Sequence, residues 1–348
     1  MLPRVSGSKA VVIYALNFSA WKKRAVRQCF PGTRMKFIGR PCTVPAGGVL
    51  VVWGVTSLPD HLAARLTILR LEDGFLRSVG LGADLIRPLS WVIDGRGIYY
   101  DATRPSDLEH LLAHGSFDAP LLRRAALLRE RIVAERLTKY NVGAAGWRRP
   151  CAARQVILVP GQVESDASLA YGAPGIRTNI ALLKAVRAAN PDAHVIYKPH
   201  PDVIARLRAR GTSEHEALSW CDEVISDAAM GDLLLAVDEV HVLTSLAGFE
   251  ALLRKKPVTC YGQPFYAGWG LTSDVLPIPR RGRQLTLDEL VAGVLIEYPV
   301  YLSRNSDRLI SPEQALDELL AWRARVGTAV PWWREWLRRV LRQVVGVR

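Results

Sequence analysis

Residues 193–201 read Ala193-His194-Val195-Ile196-Tyr197-Lys198-Pro199-His200-Pro201. The run 193–197 is short, β-branched and aromatic, which predicts a buried strand. Helical spacing resumes at Asp202, with Pro201 suited to a first helical turn. In an open α/β sheet ligands bind at such carboxyl ends of strands, so this corner predicts a cleft with Lys198 and His200 at its edge. Backbone N–H groups at a helix start favour an anion there. Prolines on both sides of His200 restrict where its imidazole points. Taken alone, a solvated lysine beside a histidine packed on the strand fits the corner as well.

Working outward, the second half of the chain alternates strand and helix. Strands are expected at 155–160 (QVILVP), 193–197, 223–225, 239–243 and 258–261, with helices at 176–189, 230–237 and 246–254. That pattern predicts a doubly wound parallel sheet. The first half alternates too, with strands at 10–16, 49–53 and 67–71, a basic helix at 20–29 and a short one near 61–65. A hairpin is expected around Asp94-Gly95-Arg96-Gly97. A capping box, Ser106 to Glu109, should open a helix over 106–114. A longer amphipathic helix is expected at 121–140, and the Gly, Pro and basic residues of 143–154 mark a boundary between two units.

Composition bounds the function. The chain has 348 residues, 49% of them hydrophobic, enough for two ordinary cores. Its 46 Lys and Arg against 33 Asp and Glu give a net charge of +13, which favours anionic partners. Five scattered cysteines without C-x-x-C spacing read as reduced residues of a cytoplasmic protein. The apolar run near the start is too short to predict a signal peptide, and no stretch predicts a membrane span. No zinc-finger or RRM signature supports nucleic acid as a partner.

Three strand ends of the second half carry reactive side chains. Gln162, Glu164 and Asp166 follow the first strand, Lys198 and His200 the second, and Thr244 and Ser245 a later one. Thr244-Ser245 precede a helix, a ready seat for a phosphate; a plain N-cap is the compatible bland reading. Glu250, one turn in, can accept bonds from ribose hydroxyls or stand as a solvated helix acid. In the first half, Glu72 and Asp73 end a strand and Arg77 follows; they offer proton transfer and anion binding, or a solvated Asp-Gly turn. No D-x-D pair and no His/Cys/carboxylate spacing suggests a metal, and no P-loop or G-x-G-x-x-G follows a strand. A nucleoside monophosphate held by Lys, His and a helix terminus fits better than a metal-bound diphosphate.

With these residues quoted, the chain resembles the bacterial capsule-polysaccharide β-Kdo transferases of the KpsC/LipA type. The matching segments are 70–80 (RLEDGFLRSVG), 95–108 (GRGIYYDATRPSDL), 159–168 (VPGQVESDAS), 190–202 (NPDAHVIYKPHPD) and 238–270 (DEVHVLTSLAGFEALLRKKPVTCYGQPFYAGWG). Such proteins often carry two transferase modules, and this chain has the length of one. The resemblance implies two Rossmann-like domains facing a cleft, the GT-B arrangement. Residues 1–142 would form the acceptor side, 155–310 would bind CMP-β-Kdo, and 311–348 would be C-terminal helices. It implies retaining transfer without cofactor or metal onto a Kdo-primed lyso-phosphatidylglycerol at the inner face of the cytoplasmic membrane, in a capsule biosynthesis and export complex. Within Gln162…Asp166 it implies a carboxylate nucleophile, placed on Asp166. The family pattern has an acid where this chain has Ser165, which keeps Glu164 beside it as a candidate. It further implies His200, Lys198, Thr244 and Ser245 at the CMP phosphate and Glu72 as acid/base for the acceptor. Kdo carries its own carboxylate, which Arg77 or Arg177 can clamp. The alternatives are another CMP-sugar transferase of sialyltransferase type, separable by donor competition, and a non-catalytic nucleotide- or glycan-binding module, which would show no turnover.

Residues 331–348 (PWWREWLRRVLRQVVGVR) place tryptophans and aliphatics at helical spacing with arginines between. They predict a basic amphipathic helix, at a membrane surface over 331–345 or docked on the protein.

Overall fold

The computed structural model describes residues 12–80, 86–141, 143 and 146–326. The chain first forms β1 (Val12–Leu16), α1 (Ala20–Gln28), β2 (Arg34–Ile38), β3 (Val49–Trp53), α2 (Asp60–Ala63), β4 (Thr67–Asp73), β5 (Ser90–Asp94), α3 (Asp107–His114) and α4 (Ala119–Ala134). A second alternation gives β6 (Val156–Pro160), α5 (Ala167–Gly172), α6 (Asn179–Ala189), β7 (His194–Lys198), α7 (Pro201–Ile204), β8 (Glu223–Val224), α8 (Met230–Ala236), β9 (Glu239–Val242), α9 (Leu246–Leu253), β10 (Val258–Cys260) and β11 (Ser273–Asp274). Then come α10 (Leu287–Val291), β12 (Pro299–Leu302), β13 (Leu309–Ile310) and α11 (Pro312–Val326).

Among the described residues these strands make two sheets. One is ordered β13-β12-β5-β4-β3-β1-β2 and the other β11-β10-β9-β6-β7-β8. Every pairing in the second is parallel. Helices cover both faces of such a sheet, so its central strands read as unbroken apolar runs; β6 is buried along its whole length. In the first sheet β1 to β4 are parallel and the rest antiparallel. Each sheet reverses its strand order once, between β1 and β3 and between β6 and β9, and such switch points open a crevice.

The structure departs from the sequence reading in four places. The expected hairpin at 94–97 does not form. The buried Asp94 carboxylate accepts N–H bonds from Arg96, Gly97 and Asp107 and the hydroxyl of Tyr298, which turns the chain into α3; β5 pairs with β4 and β12 instead. Residues 299–310, expected with the second unit, return as β12 and β13 to the first sheet, because β5 presents an open antiparallel edge. The strand β2 forms where no strand was expected; as an edge strand its residues are partly exposed, so no apolar run announces it. The capping box is half formed. Ser106 Oγ accepts from Glu109 N at 3.0 Å, while the Glu109 carboxylate turns to Arg280 and Arg281 and ties α3 to the loop after β11.

Segment 331–348 lies outside the described residues. Among those described, no helix is long and apolar enough to cross a membrane.

Candidate active site

Both switch points open on one cavity of about 1340 Å³. The second sheet contributes the loop after β6, the corner after β7 and the start of α9; the first contributes the ends of β3 and β4 and the start of α1. Of the residues singled out from sequence, Glu72, Asp73, Arg77, Gln162, Asp166, Lys198, His200, Thr244, Ser245 and Glu250 line it, and Glu164 and Arg177 do not.

On the second-sheet wall, Gln162 stitches the switch point. Its Nε2 donates to Thr244 Oγ1 at 3.0 Å, and its Oε1 accepts from Thr244 N at 2.9 Å. Asp166 is the N-cap of α5, accepting from Ser168 N, and is exposed to the cavity. Glu164 points elsewhere: its two oxygens accept from Asn179 N at 2.8 Å and Thr212 N at 2.7 Å, and it does not line the cavity. Of the two acids in this motif, the geometry presents Asp166. Lys198 is buried at the end of β7 and donates to Ser226 O at 3.2 Å. Burial lowers its ammonium to about 8, against the opposing pull of Asp227. His200 caps α7: its Nδ1 accepts from Asp202 N at 3.2 Å, which assigns the ring proton to Nε2. Burial, then the charges of Lys139 and Arg208, lower this imidazole to about 3, so it is a neutral donor at neutral pH. Ser245 caps α9 by accepting from Ala247 N, and Tyr266 Oη holds its carbonyl. The positive end of α9, Ser245 to Ala247, thus borders the cavity.

Glu250 is no solvated helix acid. It is buried, its Oε1 accepts from Lys139 N at 2.6 Å, and burial pushes its carboxyl up to about 7 despite Arg254 and that hydrogen bond.

On the first-sheet wall, Glu72 Oε1 accepts from Asp73 N at 3.0 Å and its Oε2 from Tyr100 Oη at 3.3 Å. Burial pushes its carboxyl up to about 8, the Asp73 charge adds to this, and the Asp73 N–H bond, Lys22 and Lys139 work against it. Gly54, at the end of β3 with φ +51°, makes room for this pair; a Cβ there would meet Tyr100 Oη at 2.5 Å and Glu72 Oε2 at 3.0 Å. Arg77 lines the cavity but is engaged. Its Nε binds Asp73 at 2.7 Å, its Nη1 Ser78 Oγ at 3.0 Å and its Nη2 Ile86 O at 3.3 Å. Arg177 donates its Nε to Ala173 O and does not line the cavity. The fork of Arg77 is taken up within the chain, and Arg177 stands off the cavity, so neither is placed as a carboxylate clamp.

The cavity also gathers Lys22, Tyr99, Tyr100, Lys139, Tyr140 and Arg208, none of which the sequence reading marked. Tyr99 and Tyr100 fall within a matching segment, the one available signal; Lys139 is one basic residue among 46. Among the described residues no group of three or more His, Cys, Asp or Glu is placed to hold a metal ion.

Residues 50–141 and 114–301 match the family model described as capsule polysaccharide biosynthesis protein. The capsule polysaccharide modification protein LipA of Neisseria meningitidis serogroup B is 43% identical over 321 residues, 88% of this chain and 45% of LipA. The lipopolysaccharide-processing protein LpsZ of Rhizobium meliloti is 38% identical over 86% of this chain and 72% of its own length. The chain spans about half the length of the LipA proteins it matches. Two solved structures from Thermosulfurimonas dismutans share the fold. The KpsC β-Kdo 2,7 transferase superposes with TM-score 0.75 and 42% identity over 89% of this chain and 98% of that one. The KpsC β-Kdo 2,4 transferase gives 0.79 and 32% over 90% and 99%. An α/β chain with these relatives over most of its length belongs to the capsule polysaccharide biosynthesis family, of the KpsC/LipA type.

Proposed function

We propose that this chain is a single-module, retaining β-Kdo transferase that takes Kdo from CMP-β-Kdo and adds it to a Kdo-bearing lyso-phosphatidylglycerol during capsule assembly. Its two sheets are the two lobes of a GT-B arrangement, and no metal takes part. One observation carries the reading: a single cavity presents the Asp166 carboxylate together with Lys198, His200 and the positive end of α9. The names and similarity of the two KpsC transferases support the choice of sugar.

In the first step an Asp166 oxygen bonds to the anomeric carbon, the bond from that carbon to the phosphate oxygen breaks, and CMP leaves with the electron pair. Lys198, the Nε2–H of His200 and the start of α9 stabilise the phosphate charge that develops. In the second, an acceptor hydroxyl attacks the same carbon, displaces Asp166 and passes its proton to Glu72. Two inversions give retention. Glu250 faces the nucleoside, with one oxygen already held by Lys139 N.

Intact-protein mass spectrometry after incubation with CMP-Kdo, for the unaltered chain and Asp166→Ala, tests the reading. A Kdo-sized increase on the unaltered chain alone is expected. Undiminished transfer by Asp166→Ala refutes the nucleophile, and absence of CMP release with a validated acceptor refutes the enzyme. A lipid acceptor would bring the chain peripherally to the inner face of the cytoplasmic membrane, with the basic, tryptophan-bearing segment 331–345 as the contact. Co-flotation with anionic vesicles should then weaken when 331–348 is removed; equal flotation dismisses that role.

A further inference from the structure

Lys139 lies in the segment between the two alternations, and its backbone is held from both sides. Ser78 N donates to its carbonyl at 3.2 Å, and its own N–H donates to Glu250 at 2.6 Å. Neighbouring bonds brace it: Gly80 N donates to Tyr140 O at 2.8 Å, and Thr138 N to Asn141 Oδ1 at 2.9 Å. The ammonium itself has no such restraint. Among the described residues it is in no ion pair or side-chain hydrogen bond, and its Nζ stands 5.3 Å from the centroid of the Tyr140 ring. That ring in turn stands edge-on to His200 at 6.1 Å. The Lys139 charge is felt by groups on both walls, Glu72 and Asp73 on one and Asp166, His200 and Glu250 on the other.

A fixed backbone carrying an unpaired cation into a cavity is arranged for an anion from outside the chain. Of the cavity's other cations, Arg77 is engaged by Asp73, Lys198 lies at the phosphate corner and Lys22 sits over Trp53, while Arg208 is exposed at the mouth and acts on His200. Resting on the transferase reading, we propose that Lys139 binds the carboxylate on the anomeric carbon of the donor and so selects 2-keto sugar acids over neutral sugars. The attacked carbon must lie between Asp166 and the departing phosphate near His200. Its carboxylate is attached directly to that carbon, which puts it within reach of Lys139, which lines the same cavity and whose field touches both groups. Held there, the donor's negative charge is neutralised beside an incoming carboxylate, whose approach it would otherwise repel.

The test compares kcat/KM for CMP-Kdo and its C1 carboxamide in the unaltered chain, Lys139→Ala and Lys139→Arg, with CMP affinity by calorimetry for each. The unaltered chain should favour the acid by about 10- to 100-fold, the range of one charge-assisted hydrogen bond. Lys139→Ala should abolish the preference, Lys139→Arg should restore part of it, and CMP affinity should stay within about twofold, since the nucleotide lacks that carboxylate. An acid-to-amide ratio in Lys139→Ala equal to that of the unaltered chain overturns the assignment. If Lys139→Ala no longer binds CMP, Lys139→Met supplies the same ratio with the stem volume kept. An unaltered chain that turns over neither donor overturns the transferase reading, and this inference with it.

Discussion

Glu72 and Asp166 face the same cavity from opposite sheets, in opposite surroundings. Glu72 is enclosed, bonded to Asp73 N and Tyr100 Oη, and pushed up to about 8 by burial. Asp166 is exposed on the cavity and capped onto Ser168 N. In the mechanism proposed above, the first carboxyl changes its proton near working pH and the second presents an oxygen to the donor. Similar residues acquire different uses because dielectric and hydrogen bonding, not chemical type, set proton affinity. The walls differ in the same sense. Gln162 locks the second wall across its switch point, whereas Arg77 and Asp73 neutralise each other beside Glu72 on the first.

The largest way to break this contrast is Asp166→Ala. Transfer should fall on the order of 10⁴-fold, as for loss of a covalent nucleophile, with CMP affinity within about twofold by calorimetry. If Glu72→Ala loses as much while Asp166→Ala loses little, the two roles are exchanged. Next, Glu72→Gln keeps shape and removes the base; acceptor-dependent turnover should drop about 10²- to 10³-fold. CMP release without acceptor, followed as a burst, should persist, and its loss would move Glu72 to the donor step.

The smallest effect sharpens the contrast through pH. Glu72 must be deprotonated to take the acceptor proton, so activity rises as pH climbs towards about 8. Lys198 must be protonated to hold phosphate, so activity falls as pH passes about 8. The profile should be a narrow bell near pH 8, with no inflection from His200, already neutral above about 3. Lys198→Arg keeps its charge at alkaline pH and should flatten only the falling limb, with kcat/KM below the optimum within about tenfold. A falling limb unmoved by this substitution assigns it to another group.

The sequence by itself determined the second sheet and the residues at its strand ends. Central parallel strands are covered on both faces, so β6 and the middle of β7 show as apolar runs, and side chains that follow such runs stand at the carboxyl edge. The same logic placed Glu72 at the carboxyl end of β4. The pairing of edges was not legible: β2 is half-exposed, β12 returns from some two hundred residues away, and Asp94 redirects the chain by bonds to residues far along it. Tertiary structure alone set Asp166 on the cavity and Glu164 off it, because only folding brings Asn179 N and Thr212 N onto the Glu164 carboxylate. It also disarmed Arg77 and left Lys139 unpaired. Whether a charge is matched or free depends on which groups converge in space, and the order of residues along the chain does not carry that information.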